Sequence, residues 1–406
     1  MTDTLTVRFY NVRFGDAILI TVPDRNPKTK KVTKRRILID FGNAPTVASP
    51  EGGDDSVFKP VVDDLIQELG GKPIDLYVMT HEHLDHVQGL PHADKKTHPN
   101  GELATKLPID YAWLTGSARE DYYEDHPDAK KKKLAFIEMY EKIERHLKLA
   151  GEDQLAPFRR FLAINNPAST KQCVEFLRTV ARKKTSYVHR SVGKPADGTP
   201  LFKVKGTHPF KEARLEIWAP EEDTSDYYGK FQPLSLGEVA AGAGVLAEAA
   251  VPPLPPPGVD AGAFYNLVDT RLSGIGDNML AIDQAENNTS VVFLLEWRKW
   301  RLLFAGDAEI RSWQTMNREG VLKPVHFLKV SHHGSHNGTP EDDLFEAILP
   351  KKAPDKRKRT ACISTWMDTY PGIPHAATNK RLKSRCDFHT TLDDPDEPFY
   401  EVDFKG

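Results

Sequence analysis

β-Branched and apolar residues concentrate in three short runs near the N-terminus, Val7–Tyr10, Ala17–Val22 and Arg36–Asp40. Each predicts a strand. The turn Arg13-Phe14-Gly15-Asp16 separates the first two, and a basic hairpin tip from Lys28 to Arg35 leads into the third. The period then changes. Val61, Val62, Leu65, Ile66 and Leu69 recur at helical spacing within Phe58–Leu69, and Gly70-Gly71 closes that helix. Ile74–Met79 is almost wholly apolar, as expected of a strand buried on both faces. It runs straight into Thr80-His81-Glu82-His83-Leu84-Asp85-His86.

The pattern is weaker over 95–275. Lys130–Leu149 and Thr170–Arg182 predict helices, and Arg214–Ala219 a strand. Val239–Val259 contains Pro252-Pro253-Leu254-Pro255-Pro256-Pro257, which suits a loop or polyproline segment and neither a helix nor a central strand. Regularity returns in strands at Ser290–Glu296, Arg301–Ala305, Val325–Val330 and Thr360–Ser364, with a short helix at Ala376–Arg385. Ala17–Asp40 and Ser290–Asp307 both read as strand, hairpin, strand and then an Asp/Gly turn. Each is followed by a helix-like segment and a buried strand that ends in His-rich residues. This repetition predicts an α/β fold of two similar β-rich halves, 1–94 and 276–406, split by an elaboration at 95–275.

Composition narrows the class. The 406 residues carry 55 Lys+Arg against 58 Asp+Glu, a net charge of −3, which excludes a globally basic nucleic-acid packager. Three cysteines exclude a disulfide scaffold. Cys173, Cys362 and Cys386 are expected to be free thiols in a reducing compartment. The longest strongly apolar run, near Val291–Leu295, is far below the ~20 residues that span a bilayer. A cytoplasmic protein without a membrane span is the expectation.

The chemistry lies in the histidines. His81, His83, Asp85 and His86 fall within six residues after an apolar strand, and Asp307 and His332 follow two other strands. Imidazole and carboxylate are the ligand types of zinc and similar divalent ions. Alternation along a turning loop lets His81 and His83 face one ion while Asp85 and His86 turn toward a neighbouring one. Basic runs at Lys28–Arg36, Lys130–Lys133, Arg182–Lys184 and Lys351–Arg359 offer local positive charge. The last of these, between metal-site strands, favours a phosphodiester substrate.

Thr80-His81-Glu82-His83-Leu84-Asp85-His86 resembles the H-x-H-x-D-H signature of the metallo-β-lactamase superfamily. Asn11–Ile20, Ile37–Gly42, Asn287–Ser290, Gly306–Glu309 and Leu328–Ser335 resemble the ComEC-type branch of that superfamily. The resemblance spans 5–90 and 285–390. It implies an αββα metallo-β-lactamase-type sandwich with a long, partly helical insertion, holding one or two Zn2+ ions, with Mn2+ as the alternative. By matching motif, His81 and His83 would hold the first ion, Asp85, His86 and His332 the second, and Asp307 would bridge them. Asp40 would support the histidines from behind. The family's usual third histidine falls by position near Glu286–Asn288, where no His stands. His189 and His208 are the candidates in the insertion.

Further residues carry expectations. Asp85 belongs to the catalytic set through its metal. His333 and His336 would contact substrate or donate a proton, or else simply pack. His375, in Tyr370-Pro-Gly-Ile-Pro-His375, would protonate the leaving group or bind a phosphate oxygen. Asn288 and Ser335 stand close to the motif residues. The expected function is a metal-dependent phosphodiesterase or nuclease using a metal-bound hydroxide, acting on a phosphodiester such as nucleic acid. The alternatives are a small-molecule hydrolase of a lactone, thioester, lactam or phosphoester, and a non-catalytic metal-binding component of an assembly. In that last case a protein partner would be met through the insertion or the Pro-rich loop.

Overall fold

The computed structural model describes residues 3–44, 55–149, 163–190, 206–228, 283–353, 355–366 and 372–406. Thirteen strands among the described residues form two sheets. The first has the order β13-β1-β2-β3-β4-β5-β6, with β1 Thr4–Tyr10, β2 Ile18–Arg25, β3 Val32–Ile39, β4 Ile74–Met79, β5 Ile109–Thr115, β6 Ala181–Val188 and β13 Phe399–Lys405. The second has the order β12-β11-β10-β9-β8-β7, with β7 Arg214–Ala219, β8 Val292–Trp297, β9 Trp300–Phe304, β10 Phe327–Lys329, β11 Thr360–Ile363 and β12 Asp387–Thr390. Each sheet starts as an antiparallel set (β13-β1-β2-β3; β7-β8-β9) and continues parallel (β3-β4-β5-β6; β9-β10-β11-β12).

Period-two alternation builds the layers. On β2, β3 and β4, Ile18, Ile20, Ile37, Ile39, Leu76 and Val78 face inward and meet Phe293, Leu295, Leu302, Phe304 and Phe327 of the other sheet. The intervening Leu19, Leu38, Tyr77 and Met79 face outward onto the helices Asp55–Leu69, Gly89–Lys96 and Pro167–Arg178. On the far side, Val292, Leu294, Leu303 and Leu328 meet Trp313, Met316, Phe345, Ile348 and Leu382 of the helices Ile310–Arg318, Asp342–Ile348 and Ala376–Lys383. The result is an α/β sandwich layered helix, sheet, sheet, helix.

The segment 95–275 is not simply an insertion. β5 and β6 extend the parallel half of the first sheet, and β7 begins the second. Thr170–Arg182 divides into a helix ending at Arg178 and the strand β6, whose basic Arg182–Lys184 conceals its strand character. The Pro252–Pro257 stretch lies outside the described residues. Among those described, no helix is long and apolar enough to cross a membrane.

Candidate metal centre

The C-terminal ends of β3, β4, β9, β10 and β11 open at the same edge, where ligands gather in parallel α/β sheets. Asp40 follows β3, His81–His86 follow β4, Asp307 follows β9, His332–His333 follow β10 and Ser364 follows β11. Two glycines let the loops close. A Cβ on Gly42 would lie 2.3–2.5 Å from backbone atoms of Leu84, Asp85 and His86, and one on Gly15 (φ +148) would lie 2.4 Å from the Gly42 carbonyl. Only glycine lets these segments approach so closely.

Asp85, His86, Asp307 and His333 form one buried group whose potential ligand atoms lie within 4.8 Å of one another. His333 Nε2 is 3.3 Å from both Asp85 Oδ2 and Asp307 Oδ2, and His86 Nε2 is 3.3 Å from Asp307 Oδ2. His81 Nε2 faces His83 Nδ1 at 3.0 Å, and the His81 and His86 ring centroids are 4.2 Å apart.

Each of these four imidazoles has one nitrogen turned toward another ligand-type residue and one turned to a polar neighbour. His86 Nδ1 lies 2.8 Å from Asp40, His333 Nδ1 2.8 Å from the Ser364 carbonyl, and His81 Nδ1 3.1 Å from Thr80 Oγ1. His83 Nε2 lies 3.4 Å from Glu286 Oε2. Metal-binding histidines are oriented in this way. Asp40 is itself fixed by the Thr80 amide at 2.7 Å and hydroxyl at 2.6 Å.

His332 does not join the group that the motif assigned to it. His332 and His333 both have left-handed backbone (φ 48 and 49), and their ring centroids are 6.3 Å apart. His333 turns inward under the Phe14 ring, 4.2 Å away. His332 turns toward Glu309 (3.3 Å), Asn287 Nδ2 (3.4 Å) and Asp283 (3.9 Å). Sequence spacing cannot separate adjacent histidines; the backbone turn does.

Other expected residues also sit elsewhere. Asn288 accepts from the Ser312 amide and hydroxyl (3.1 and 3.0 Å), tying the turn before β8 to the helix Ile310–Arg318. Ser335 bonds Asn337 (2.8 Å) and accepts from the Gly338 amide (3.1 Å) within its own turn. The exposed His336 packs edge-on to His375, centroids 5.0 Å apart. His375 Nδ1 faces Thr378 at 3.2 Å, while its backbone N–H donates to the Gly334 carbonyl at 2.8 Å. His208 stands edge-on to Trp113. Neither it nor His189 belongs to a metal-competent group among the described residues.

Several residues with no role expected from sequence complete the centre. Lys329, only 1% exposed, reaches Asp16 Oδ2 (2.5 Å), Asp307 Oδ1 (3.2 Å) and the Gly306 carbonyl (2.8 Å). Glu286 pairs with Lys133, and Glu309 accepts from Asn287 Nδ2 at 2.9 Å. Their only sequence signal was membership of the quoted motifs, or, for Glu286, the position where a histidine is missing.

The charge balance is lopsided. Asp16, Asp40, Asp85, Glu286, Asp307 and Glu309 are each at most 4% exposed. Buried carboxylates need counter-charge. Burial opposes protonation of His333, but Asp307 and Asp85 prevail and push its pKa up to about 10. The same contest raises His86 well above the usual imidazole range, through Asp307, Asp85 and Asp40. Burial would raise Asp307, yet His333, His86 and Lys329 hold it well below the usual carboxylate range. Burial together with His86 and His83 pushes His81 well down, leaving it neutral. The pocket therefore attracts cations, and its donor set can hold a metal ion.

Three of the four basic runs do not line this edge. Lys351–Arg359 precedes β11, with Asp355 3.1 Å from His326 just before β10. The Lys28–Arg36 hairpin precedes the end of β3, and Arg182 and Lys183 pair with Asp110 at the start of β5. All three lie toward the opposite ends of the strands. Of Lys130–Lys133, Lys132 donates to the Ser225 carbonyl (2.6 Å) and Lys133 pairs with Glu286. No protein-family model matches the chain, and no curated protein matches it.

Proposed function

We propose that the protein is a metal-dependent hydrolase of the metallo-β-lactamase type, acting on a small phosphodiester. The observation that carries this reading is the oriented donor set. His81, His86 and His333 are each held by an outer hydrogen-bond partner, and His83 faces Glu286 at 3.4 Å, beside Asp85 and Asp307. The motif resemblance supports the same reading. Zn2+ or Mn2+ ions would supply Lewis acidity, acidifying water and screening negative charge on the reacting group. The chain's residues do the rest. Asp40 and the Ser364 carbonyl face Nδ1 of His86 and His333 and so turn Nε2 of each inward, Lys329 fixes one oxygen of Asp307, and Phe14 covers the His333 ring.

A small phosphodiester fits better than a nucleic-acid polymer, because three of the four basic runs lie toward the other ends of the strands and Lys132 and Lys133 of the fourth are engaged by the Ser225 carbonyl and Glu286. A second reading, an acyl substrate such as a lactone or thioester, is favoured by the apolar wall of Phe14, Ala44, Ile164, Trp366 and Ile373 beside His333. The test is chelator-sensitive hydrolysis of bis-nitrophenyl phosphate, a lactone and a thioester by metal-loaded protein. Asp85→Ala and Asp307→Ala should abolish turnover. A fully metal-loaded protein that hydrolyses none of the three would refute the proposal.

A further inference from the structure

We propose that Glu286, clamped by Lys133, is a positioning carboxylate that aims His83 and so controls a second, weaker ion position at His81 and His83. The inference rests on the metal-hydrolase reading and goes beyond it, because it assigns a role to the place where the family pattern has an imidazole.

Glu286 stands in the helical turn 283–288 just before β8. Its Oε1 pairs with Lys133 Nζ, and its Oε2 lies 3.4 Å from His83 Nε2. Glu286 and His83 are 4% and 3% exposed. Those two facing atoms, Oε2 and Nε2, lack any better hydrogen-bond partner. Leaving a buried polar atom without a partner is costly, so these two atoms face each other. With Nε2 turned to Glu286, Nδ1 is the nitrogen left to bind an ion, and it already faces His81 Nε2 at 3.0 Å. The relay Lys133–Glu286–His83–His81 is thus the counterpart of Asp40–His86.

Lys133 fixes the carboxylate from the other side. It comes from the helix Pro127–Leu149, in the segment whose sequence does not resemble the family. Its ammonium lies 4.6 Å over the Phe136 ring, which confines it. With Lys133 on one oxygen, Glu286 turns the other toward His83.

The consequence is asymmetry between the two positions. Asp85, His86, Asp307 and His333 offer two carboxylates and two imidazoles, whereas His81 and His83 offer imidazoles alone. The first equivalent of metal should therefore bind tightly at the former set and the second more weakly at the latter.

Zn2+ titration against a chromophoric chelator, with the Co2+ absorption spectrum as a second readout, tests this on the full chain. Glu286→Ala should keep the first equivalent and weaken the second by about 10–100-fold, the usual effect of losing such a partner. Glu286→Gln, which still accepts from His83, should recover much of that loss. Lys133→Met should weaken the second equivalent by a smaller factor and leave the first unchanged. If Glu286 were a ligand, Glu286→Gln would change the Co2+ spectrum of the second equivalent as Glu286→Ala does; that result would overturn the inference. Two equivalents bound with native affinities in Glu286→Ala, or both weakened alike, would also overturn it while sparing the hydrolase reading. Native protein that binds no divalent ion would sink both.

Discussion

Lys329→Met removes a buried ammonium beside the Asp85–His86–Asp307–His333 group while nearly preserving side-chain volume. In the native chain that ammonium is 1% exposed and holds Asp16 at 2.5 Å, Asp307 at 3.2 Å and the Gly306 carbonyl at 2.8 Å. Burial disfavours its charge, but Asp16 and Asp307 outweigh this and raise its pKa above the usual lysine range. Removing one member of a buried ion pair costs about 3–5 kcal/mol, because the remaining charge is stranded. Methionine fills the space, so little of the loss comes from a cavity. The loss is large against a total stability of about 5–15 kcal/mol. Pairing the change with Asp16→Asn removes one stranded charge and should restore about 1–3 kcal/mol. Divalent metal at a hundredfold excess over Kd should stabilise native and variant alike by about 2.7 kcal/mol, so the deficit persists. Urea unfolding followed by tryptophan fluorescence, with chelator and with Zn2+, measures all three. A Lys329→Met protein within about 0.5 kcal/mol of native in chelator would refute the reasoning, since that is the range of changes at indifferent surface positions.

His333→Ala should lose one equivalent of metal by elemental analysis, whereas His332→Ala should retain the native stoichiometry; the opposite result would return the motif's first histidine to the centre. Stability should also depend on pH through His208, whose pKa burial lowers from 6.5 to about 4. The fold favours its neutral form, so its contribution is complete above about pH 6.5 and is lost as pH falls through 4. His208→Gln should flatten the fall in unfolding free energy across that window, and an unchanged slope would remove His208 as its source.

The chain's own pattern determined much of this protein. Apolar alternation marked most of the strands. The change of period marked the helix Asp55–Leu69, and clustering of His and Asp after apolar strands marked the edge where the site forms. These are local properties, written in consecutive residues. β6 escaped because Arg182–Lys184 are exposed, Arg182 and Lys183 pairing with Asp110, and imitate a solvated charge run. The choice between His332 and His333 was also hidden, because it depends on two left-handed residues that turn neighbouring rings apart.

Only the tertiary structure decided the long-range partners. Asp16 and Lys329 are far apart in sequence, yet meet because an antiparallel β2 and a parallel β10 bring opposite strand ends to one edge of the sandwich. Lys133 and Glu286 meet because the helix Pro127–Leu149 packs beside the turn before β8. Strand direction carries the other three basic runs away from the centre, since residues that begin parallel strands lie a strand length from those that end them. Sequence composition records how many charges a chain has; the direction of each strand determines which of them share a site.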